Sequence, residues 1–382
     1  MIRDQEILTQ LIDIVERFVR ERLIPAENEL AEKNKVPDAI VEEMKALGLF
    51  GMTIPEEYGG LGLTMEEEIY IAMALGHTSP AFRSILGTNN GIGSAAIVFD
   101  GSEKQKQKFL PKYASGEWIS CFCLTEPDAG SDAAALITTA KREGDIYLLN
   151  GTKRYITNGP IADTFNVMAR TNPEVKGARG ISAFIVEKGS PGITLGPIDK
   201  KMGQAGSLTC DVIFEECPVP AANLIGEEGG GFITAMKVLD RGRLHISGVS
   251  VGVADRLITD SLDFAINRKQ FGQPIAEHQL IQAMLADSKT EAYAAKCMTL
   301  ETARARDRGE NVSTEISACK LFATEMVGRV ADRAVQIHGG AGYVSDYAVE
   351  RFYRDVRLFR LYEGTSQIQQ IIIAKNMIKD AS

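Results

Sequence analysis

Residues that hold metal ions or form disulfides are scarce in this sequence. Its 382 residues include six cysteines and four histidines, with no CxxC pair and no HExxH pattern. Neither the spacing of a zinc site nor a disulfide framework is therefore present. Cys121 and Cys123 would share one face of a strand, where thiols without polar partners serve as packing residues. We predict a protein without a bound metal that folds in a reducing compartment.

Long apolar runs and a basic surplus are also missing. Charged residues interrupt every apolar stretch before it reaches about 18 residues, and Met1 leads directly into an amphipathic pattern without a signal peptide. We expect a chain that is neither exported nor inserted into a membrane, in the bacterial cytoplasm or, if processed, in the mitochondrial matrix. The net charge of −9 argues against nucleic acid as a partner, because binding to phosphates needs clustered Lys and Arg.

Two common nucleotide-binding motifs are absent. No GxGxxG follows a strand and opens a helix, and no GxxxxGK[ST] occurs, so neither a nicotinamide Rossmann site nor a P-loop is supported. The glycine clusters at residues 59–62, 229–231 and 339–342 are interpreted as loops and helix caps. There is no internal repeat and no low-complexity tract.

The composition is that of a soluble globular protein, with 45% hydrophobic and 24% charged residues. A chain of this length exceeds the usual size of one hydrophobic core, so two or three domains are expected. The hydrophobic period changes twice along the sequence, from helical to strand-like and back. Helical spacing occurs at residues 7–19, 39–47, after 64 and at 104–113, and strand-like segments occur at 118–124, 146–149, 165–169 and 181–186. Helical spacing returns from residue 232, through 254–268, 279–306 and 313–337.

This order predicts a mainly α protein with a middle β domain. Helices, strands and helices in succession argue against a doubly wound sheet, which would alternate them. We expect an N-terminal all-α domain over residues 1–117, a β domain over residues 118–229 and a C-terminal helical bundle over residues 230–382. The long helices of the last region are also typical of proteins that form oligomers.

Five segments resemble signatures of the acyl-CoA dehydrogenase family and occur in the family's order. The likeness extends from the first helix to the last. It implies a helical N-terminal domain, a small β-barrel-like middle domain and a C-terminal helical bundle that bind FAD and assemble as a homotetramer, a dimer of dimers. The segments are LTEPDAGSD (124–132), NGTKRYITNG (150–159), RKQFG (268–272), QIHGG (336–340) and YEGTSQIQ (362–369).

The reaction that the resemblance implies is the α,β-dehydrogenation of an acyl-CoA thioester to the trans-2-enoyl-CoA. The family's base is a glutamate at the position of Glu363, where a carboxylate shielded from water can take the weakly acidic α proton. The β hydrogen then leaves as hydride to flavin N5. The backbone N–H of Glu363 and the flavin ribityl hydroxyl would stabilise the thioester oxygen. Some relatives carry the base on a C-terminal helix, where this chain has Gly242, which cannot serve.

The resemblance also assigns contacts with FAD to the first two motifs. Thr125 would hydrogen-bond the isoalloxazine ring, Thr157 would donate near N5, and Tyr155 would stack where many relatives have Trp. Asp128 stands where a glycine is frequent, which leaves the conformation of this loop open. The implied cofactor-binding residues here are Phe122, Leu124, Thr125, Gly130, Ser131, Tyr155, Ile156 and Thr157.

Further contacts are implied in the last third of the chain. Arg268, Phe271 and Gln279 resemble residues that reach the FAD of a neighbouring subunit, and the planar fork of an arginine suits a pyrophosphate. The other implied cofactor contacts are Gln336, Gly339, Gly340, Thr365 and Gln367, and the implied acyl-CoA contacts are Ser131, Asp240, Arg243 and Gly364.

Two other functions remain open. A flavin acyl-CoA oxidase shares the first half-reaction, but such oxidases are usually longer, so we expect a dehydrogenase that passes electrons to an electron-transferring flavoprotein. A catalytically silent member of the fold that binds nucleic acid or a partner would not need Glu363 and would not be expected to be acidic. The length and branching of the acyl chain depend on a buried pocket that the sequence does not describe.

Arg83 and Ser84 provide one hint about the acyl group. They resemble an arginine and a serine that glutaryl-CoA dehydrogenases place near the distal carboxylate of their substrate. A buried guanidinium without a partner is costly, so an arginine facing the acyl pocket would favour an anionic or polar chain end. Those enzymes carry a glutamate seven residues before the arginine, where this chain has Gly76. Otherwise Arg83 would pair with a carboxylate between helices or lie at the surface.

Overall fold

Helices occupy both ends of the chain and strands occupy its middle, as the hydrophobic periods predict. The structure is a computed structural model that describes residues 1–382. Capping boxes begin two of the N-terminal helices. The side chains of Thr64 and Ser102 accept the backbone N–H groups of Glu67 and Gln105, whose side chains accept the backbone N–H groups of Thr64 and Ser102 in return. These helices are α1 (Gln5–Phe18), α2 (Glu27–Lys33), α3 (Asp38–Ala46), α4 (Met65–Gly76), α5 (Pro80–Asn90), α6 (Ala95–Asp100) and α7 (Glu103–Ala114).

The middle region is one eight-stranded sheet with the order β6-β7-β3-β2-β4-β5-β8, and β1 lies parallel to β4. Its strands are β1 (Ser120–Cys123), β2 (Thr139–Glu143), β3 (Ile146–Thr157), β4 (Thr164–Arg170), β5 (Ile181–Glu187), β6 (Ile193–Leu195), β7 (Thr209–Pro220) and β8 (Leu224–Ile225). Strand β3 is longer than the expected segment 146–149. Two irregularities in its pairing with β7 interrupt the alternation of buried side chains. The sequence pattern therefore predicts only the first part of the strand.

The C-terminal region is a bundle of long helices. They are α8 (Gly231–Asn267), α9 (Gln279–Asp307), α10 (Ser313–His338), α11 (Val349–Val356) and α12 (Ser366–Asp380), and a short hairpin of β9 (Lys269–Gln270) and β10 (Gln273–Pro274) follows α8. No helix of the structure is both long enough and apolar enough to cross a membrane. The fold class expected from the sequence is confirmed.

Helix α4 joins the N-terminal region to this bundle. Its Ile69 belongs to the same buried core as Val249 of α8. The two helices cross at glycines: a Cβ at Gly252 would lie 2.0 Å from the carbonyl oxygen of Met73, and one at Gly76 would lie 2.6 Å from that of Val249. This close crossing brings polar side chains of α4 and α5 beside the middle of α8.

Candidate active site

A small polar cavity lies where α5 and α8 meet the loop that precedes α12. Its volume is about 60 Å³, and only three of the nineteen residues that line it are hydrophobic. Arg83 of α5, Gly242 and His245 of α8, Thr157 of β3 and Glu363 of the loop all face it. Residues of all three regions of the chain therefore meet at one place.

The carboxylate of Glu363 lies against Gly242. A Cβ on Gly242 would come within 2.6 Å of both carboxylate oxygens, so any larger residue there would displace the carboxylate. Oxygen Oε2 of Glu363 is buried and has no hydrogen-bond partner in the chain. A buried acceptor without a partner is costly, which leaves this oxygen available to a ligand in the cavity.

The loop holds Glu363 in a strained conformation with φ of +57°. The left-handed region costs a non-glycine residue on the order of 1–3 kcal/mol, so the loop needs support. The Glu363 carbonyl accepts from Arg243 Nε at 3.0 Å and from Gln369 Nε2 at 3.2 Å, and the Gly364 carbonyl accepts from Lys320 Nζ at 2.7 Å. The backbone N–H of Glu363 donates to no residue of the chain.

Charges around the loop oppose the effect of burial on the pKa of Glu363. Burial raises the pKa of Glu363, while the positive charges of Arg83, Arg243 and Lys320 act to lower it. Burial also lowers the pKa of Lys320 to about 8. The ammonium group of Lys320 thus has two effects: it fixes the loop and it favours the ionised form of the carboxylate.

Arg83 takes part in a buried network rather than an ion pair with a carboxylate. Its Nε donates to His245 Nε2 at 2.9 Å, and His245 Nδ1 lies 2.7 Å from Glu68 Oε1. Arg241 forms a 2.7 Å ion pair with Glu68. Because Nε2 accepts a hydrogen bond from Arg83, the His245 ring in this arrangement is neutral and donates to Glu68 through Nδ1. Burial and the charge of Arg83 also lower the pKa of His245. Burial alone would raise the pKa of Glu68, but Arg241 and His245 bring it to about 2.

Arg83 neither pairs with a carboxylate nor lies at the surface, which were the two other roles expected for it. It is half-buried and lines the cavity, and no carboxylate lies within ion-pair distance of it. The glutamate that glutaryl-CoA dehydrogenases carry seven residues earlier has no room here, because Gly76 packs on the backbone of α8. His245 is the group that Arg83 contacts instead.

A buried ion pair joins the first two sequence motifs. Lys153 Nζ lies 2.7 Å from Glu126 Oε1, and both side chains are almost fully buried. Glu126 also accepts the backbone N–H groups of Ile137 at 2.7 Å and Thr138 at 2.9 Å. Breaking such a pair by removing one partner typically costs several kcal/mol. These two motif residues therefore fix the loop that carries Thr125.

The second motif also positions helix α5. Asn158 Nδ2 donates to the carbonyl of Ser84 at 3.1 Å and to Thr88 Oγ1 at 2.8 Å. Asn158 adopts a left-handed conformation, with φ of +62°, that an asparagine tolerates. The helix that carries Arg83 is thereby fixed to the end of β3.

The predicted flavin contacts of the middle region differ in their exposure. Phe122, Leu124 and Ile156 are buried, Thr125 and Thr157 are half-buried, and Gly130 and Ser131 are exposed. Tyr155 has φ of +58° and is 61% exposed. A Cβ on Gly130 would meet nothing within 4 Å. Asp128 has no positive φ, so its position does not require glycine.

The remaining predicted residues do not reach the cavity of their own chain. Arg268 caps α8, and the ring of Phe271 at the tip of the hairpin is 95% exposed. Gln279 begins α9, while Gln336, Gly339 and Gly340 are exposed at the end of α10, and none of these residues lines the cavity. Thr365 caps α12 by accepting the N–H of Ile368, and Gln367 is exposed. Asp240 pairs with Arg243 at 2.8 Å, beside the loop.

Three groups in or beside the cavity were not identified from the sequence. Lys320 lies on the buried face of α10 with Ile316 and Ala323, and a lysine at a core position of a helix is the signal that could have identified it. His245 similarly interrupts a run of apolar and small residues in α8. Glu68 stands in a run of three glutamates that resembles a solvated surface.

Models of three acyl-CoA dehydrogenase domains match the chain. The N-terminal domain matches residues 5–117, the middle domain residues 121–217 and the C-terminal domain residues 229–378. The chain is 41% identical over 365 residues to an acyl-CoA dehydrogenase of Bacillus subtilis (strain 168), and the alignment covers 96% of each of the two chains. It is 40% identical over 352 residues to the caffeyl-CoA reductase-Etf complex subunit CarC of Acetobacterium woodii, covering 92% of this chain and 93% of the relative.

Solved structures agree with this fold. Butyryl-CoA dehydrogenase from Megasphaera elsdenii aligns with a TM-score of 0.95 and 34% identity, over 99% of this chain and 100% of the other. A structure from work on the electron transferring flavoprotein of Acidaminococcus fermentans aligns with a TM-score of 0.95 and 37% identity over 99% of both chains. Family models, relatives and structures all match over nearly the full length, and the chain belongs to the acyl-CoA dehydrogenase family.

Proposed function

We propose that this protein is an FAD-dependent acyl-CoA dehydrogenase in which Glu363 removes the α proton of the thioester. The observation that supports this role most directly is the Oε2 atom of Glu363, buried without a hydrogen-bond partner and facing a cavity. A carboxylate in such a place can accept a proton from a bound ligand without competition from its own chain. Gly242 makes room for it and offers no second base.

Residues of the middle region and at the end of α10 suit a flavin. Gly130, Gly339 and Gly340 face open space in which a Cβ would meet no atom within 4 Å, so a ligand could approach their backbone closely. Thr157 lines the cavity and would hydrogen-bond the ring system, while Thr125 would do so from the preceding loop. Bound FAD would supply the acceptor for the β hydrogen.

The backbone N–H of Glu363 is the chain's own donor for the thioester oxygen. It has no acceptor within the chain, and the strained loop that presents it is fixed by Arg243, Gln369 and Lys320. A preorganised donor of this kind is worth about 3 kcal/mol to a reaction that develops charge on oxygen. Asp240, Arg243, Ser131 and Gly364 are the proposed acyl-CoA contacts.

Arg83 is the proposed contact for the end of the acyl group. A cavity whose lining has few hydrophobic residues suits a polar acyl group better than a long hydrocarbon chain. A dicarboxylic thioester such as glutaryl-CoA would place its distal carboxylate near the guanidinium.

An electron-transferring flavoprotein is the proposed electron acceptor, and a homotetramer the proposed assembly. A relative covering most of this chain is named as a subunit of an Etf complex, which supports the first part. Exposed apolar side chains at Phe271, Leu280 and Tyr343 support the second, because large apolar groups at a surface are typical of interfaces.

Anaerobic mixing of the purified flavoprotein with a panel of acyl-CoA thioesters tests the proposal. We expect the flavin band to bleach with at least one short thioester and to recover when an electron-transferring flavoprotein is added. Glu363→Gln should bind the same thioester without bleaching. A colourless protein, or a Glu363→Gln variant that bleaches at a normal rate, would contradict the assignment.

Reduction of an enoyl-CoA is a second candidate, favoured by the 40% identity to a caffeyl-CoA reductase subunit. The same carboxylate would then return a proton to the α carbon, since both directions pass through one transition state. Measuring both directions with one substrate pair and one flavoprotein partner would decide which is faster.

A further inference from the structure

The guanidinium of Arg83 uses only one of its donors within the protein. Its Nε donates to His245, whereas the two terminal nitrogens donate to no residue of the chain. Arg83 also lines the cavity, so these donors are available to a ligand there. An arginine can donate five hydrogen bonds, and most of this capacity remains unused.

His245 offers Arg83 an acceptor without cancelling its charge. Both ring nitrogens are engaged, Nε2 with Arg83 and Nδ1 with Glu68. The charge of Glu68 is balanced by Arg241 in an ion pair at 2.7 Å. The positive charge of Arg83 is therefore not balanced within this network.

We propose that His245, oriented by Glu68, is the positioning residue that directs the free donors of Arg83 toward the end of the acyl group. The arrangement selects thioesters whose acyl chain ends in a carboxylate or another strong acceptor. This inference rests on the proposed function, since it assumes that the acyl group enters the cavity beside Glu363.

The proposal also predicts how acidity changes selectivity. The charged groups that face His245 are Glu68 of α4, Arg83 of α5 and Arg241 of α8. Protonation of His245 would remove the acceptor at Nε2 and set two positive charges against each other. Because burial and Arg83 lower the pKa of His245, this occurs only when the pH falls below the usual range of a histidine. Selectivity for acidic acyl groups should be complete at neutral pH and decline on acidification.

The experiment compares glutaryl-CoA with pentanoyl-CoA, two five-carbon acyl groups that differ at the distal end. His245→Leu removes the acceptor and keeps a similar volume, whereas His245→Gln restores an acceptor that cannot be protonated. At pH 7 we expect His245→Leu to raise KM for glutaryl-CoA roughly tenfold, the loss typical of a hydrogen bond to a charged group, with kcat and pentanoyl-CoA little changed. In the wild type, KM for glutaryl-CoA should rise at acid pH as His245 is protonated. His245→Gln should keep this KM near the wild-type value at pH 7 and should not show the rise.

The matched control is His77→Gln, the same exchange at a half-buried histidine outside the cavity. Flavin absorbance establishes that each variant is folded and contains FAD.

Equal losses of kcat/KM for both thioesters, or a fall in kcat alone, would show that His245 has a merely structural role and would overturn the proposal. If Arg83→Ala abolishes selectivity but His245→Leu does not, the positioning role is wrong while the acyl contact stands. If Glu363→Gln still bleaches normally, it is the proposed function that fails.

Discussion

The cavity at Glu363 and the exposed edge at Arg268 differ in how complete they are within one chain. In the cavity, hydrogen bonds from three side chains hold the loop, and Arg83, His245 and Glu68 form a continuous network. At the edge, Phe271 is 95% exposed, Gln336 is exposed, and a Cβ on Gly339 or Gly340 would meet nothing within 4 Å. The same family signature thus marks one site that is built within the chain and one surface that is not.

The difference teaches that the two groups of residues should respond differently to mutation. A preorganised cavity should lose chemistry when a residue changes and keep its assembly. An incomplete edge should lose ligand retention and assembly together, because a ligand bound only by the assembled state stabilises that state.

The largest effect is expected for Glu363→Gln. Only the proton acceptor is removed, so flavin reduction should fall by several orders of magnitude while bound FAD, CoA affinity and the oligomer persist. Stopped-flow bleaching measures the rate and gel filtration the assembly. Loss of the oligomer together with activity would remove the distinction between the two regions.

A smaller effect is expected for Lys320→Met. The ammonium group lowers the pKa of Glu363, so its removal should raise that pKa and shift the acid limb of the rate profile to higher pH. A shift of one unit lowers the rate on that limb about tenfold. Gln369→Leu is the control, because it removes an uncharged donor that shares the Gly364 carbonyl with Lys320 and should leave the limb in place. An unshifted limb in Lys320→Met would mean that the lysine only supports the loop.

The smallest effect on chemistry is expected for Arg268→Ala. If this arginine binds the FAD of a neighbouring subunit, the variant should retain FAD several-fold more weakly and dissociate more readily on dilution. The rate of bleaching in the fully loaded enzyme should change little. Arg179→Ala, at an exposed arginine of the middle region, provides the control. If Arg268→Ala remains a tetramer with full FAD occupancy in dilute solution, Arg268 does not bind the FAD of a neighbouring subunit.

The fold was largely predictable because periodicity is a local property. Helical spacing at residues 104–113 corresponds to α7, and the segment 313–337 corresponds to α10. Strand β3 was underestimated because its irregular pairing breaks the alternation on which a strand prediction depends. The helical spacing expected from Phe232 to Arg268 corresponds to α8, which runs from Gly231 to Asn267.

The candidate site was predictable only where a motif carried it. Resemblance pointed to Glu363 and to Gly242, and the structure brings the two into contact. The roles of the other predicted residues stay predictions. Lys320 and His245 were not singled out, since a single polar residue within an apolar helix face does not reveal what it will meet.

The sequence by itself determined the order of helices and strands, the family and the identity of the proposed base. Only the tertiary structure decided what surrounds that base. The partners of Arg83 come from helices far apart in the chain, and two glycines, Gly76 and Gly252, allow α4 and α8 to approach closely enough to assemble them. Spacing along the sequence indicates which residues are neighbours within one helix or strand. The positions of the Arg83 charge and of the unpaired Glu363 Oε2 depend on contacts between elements, and these are set by tertiary packing.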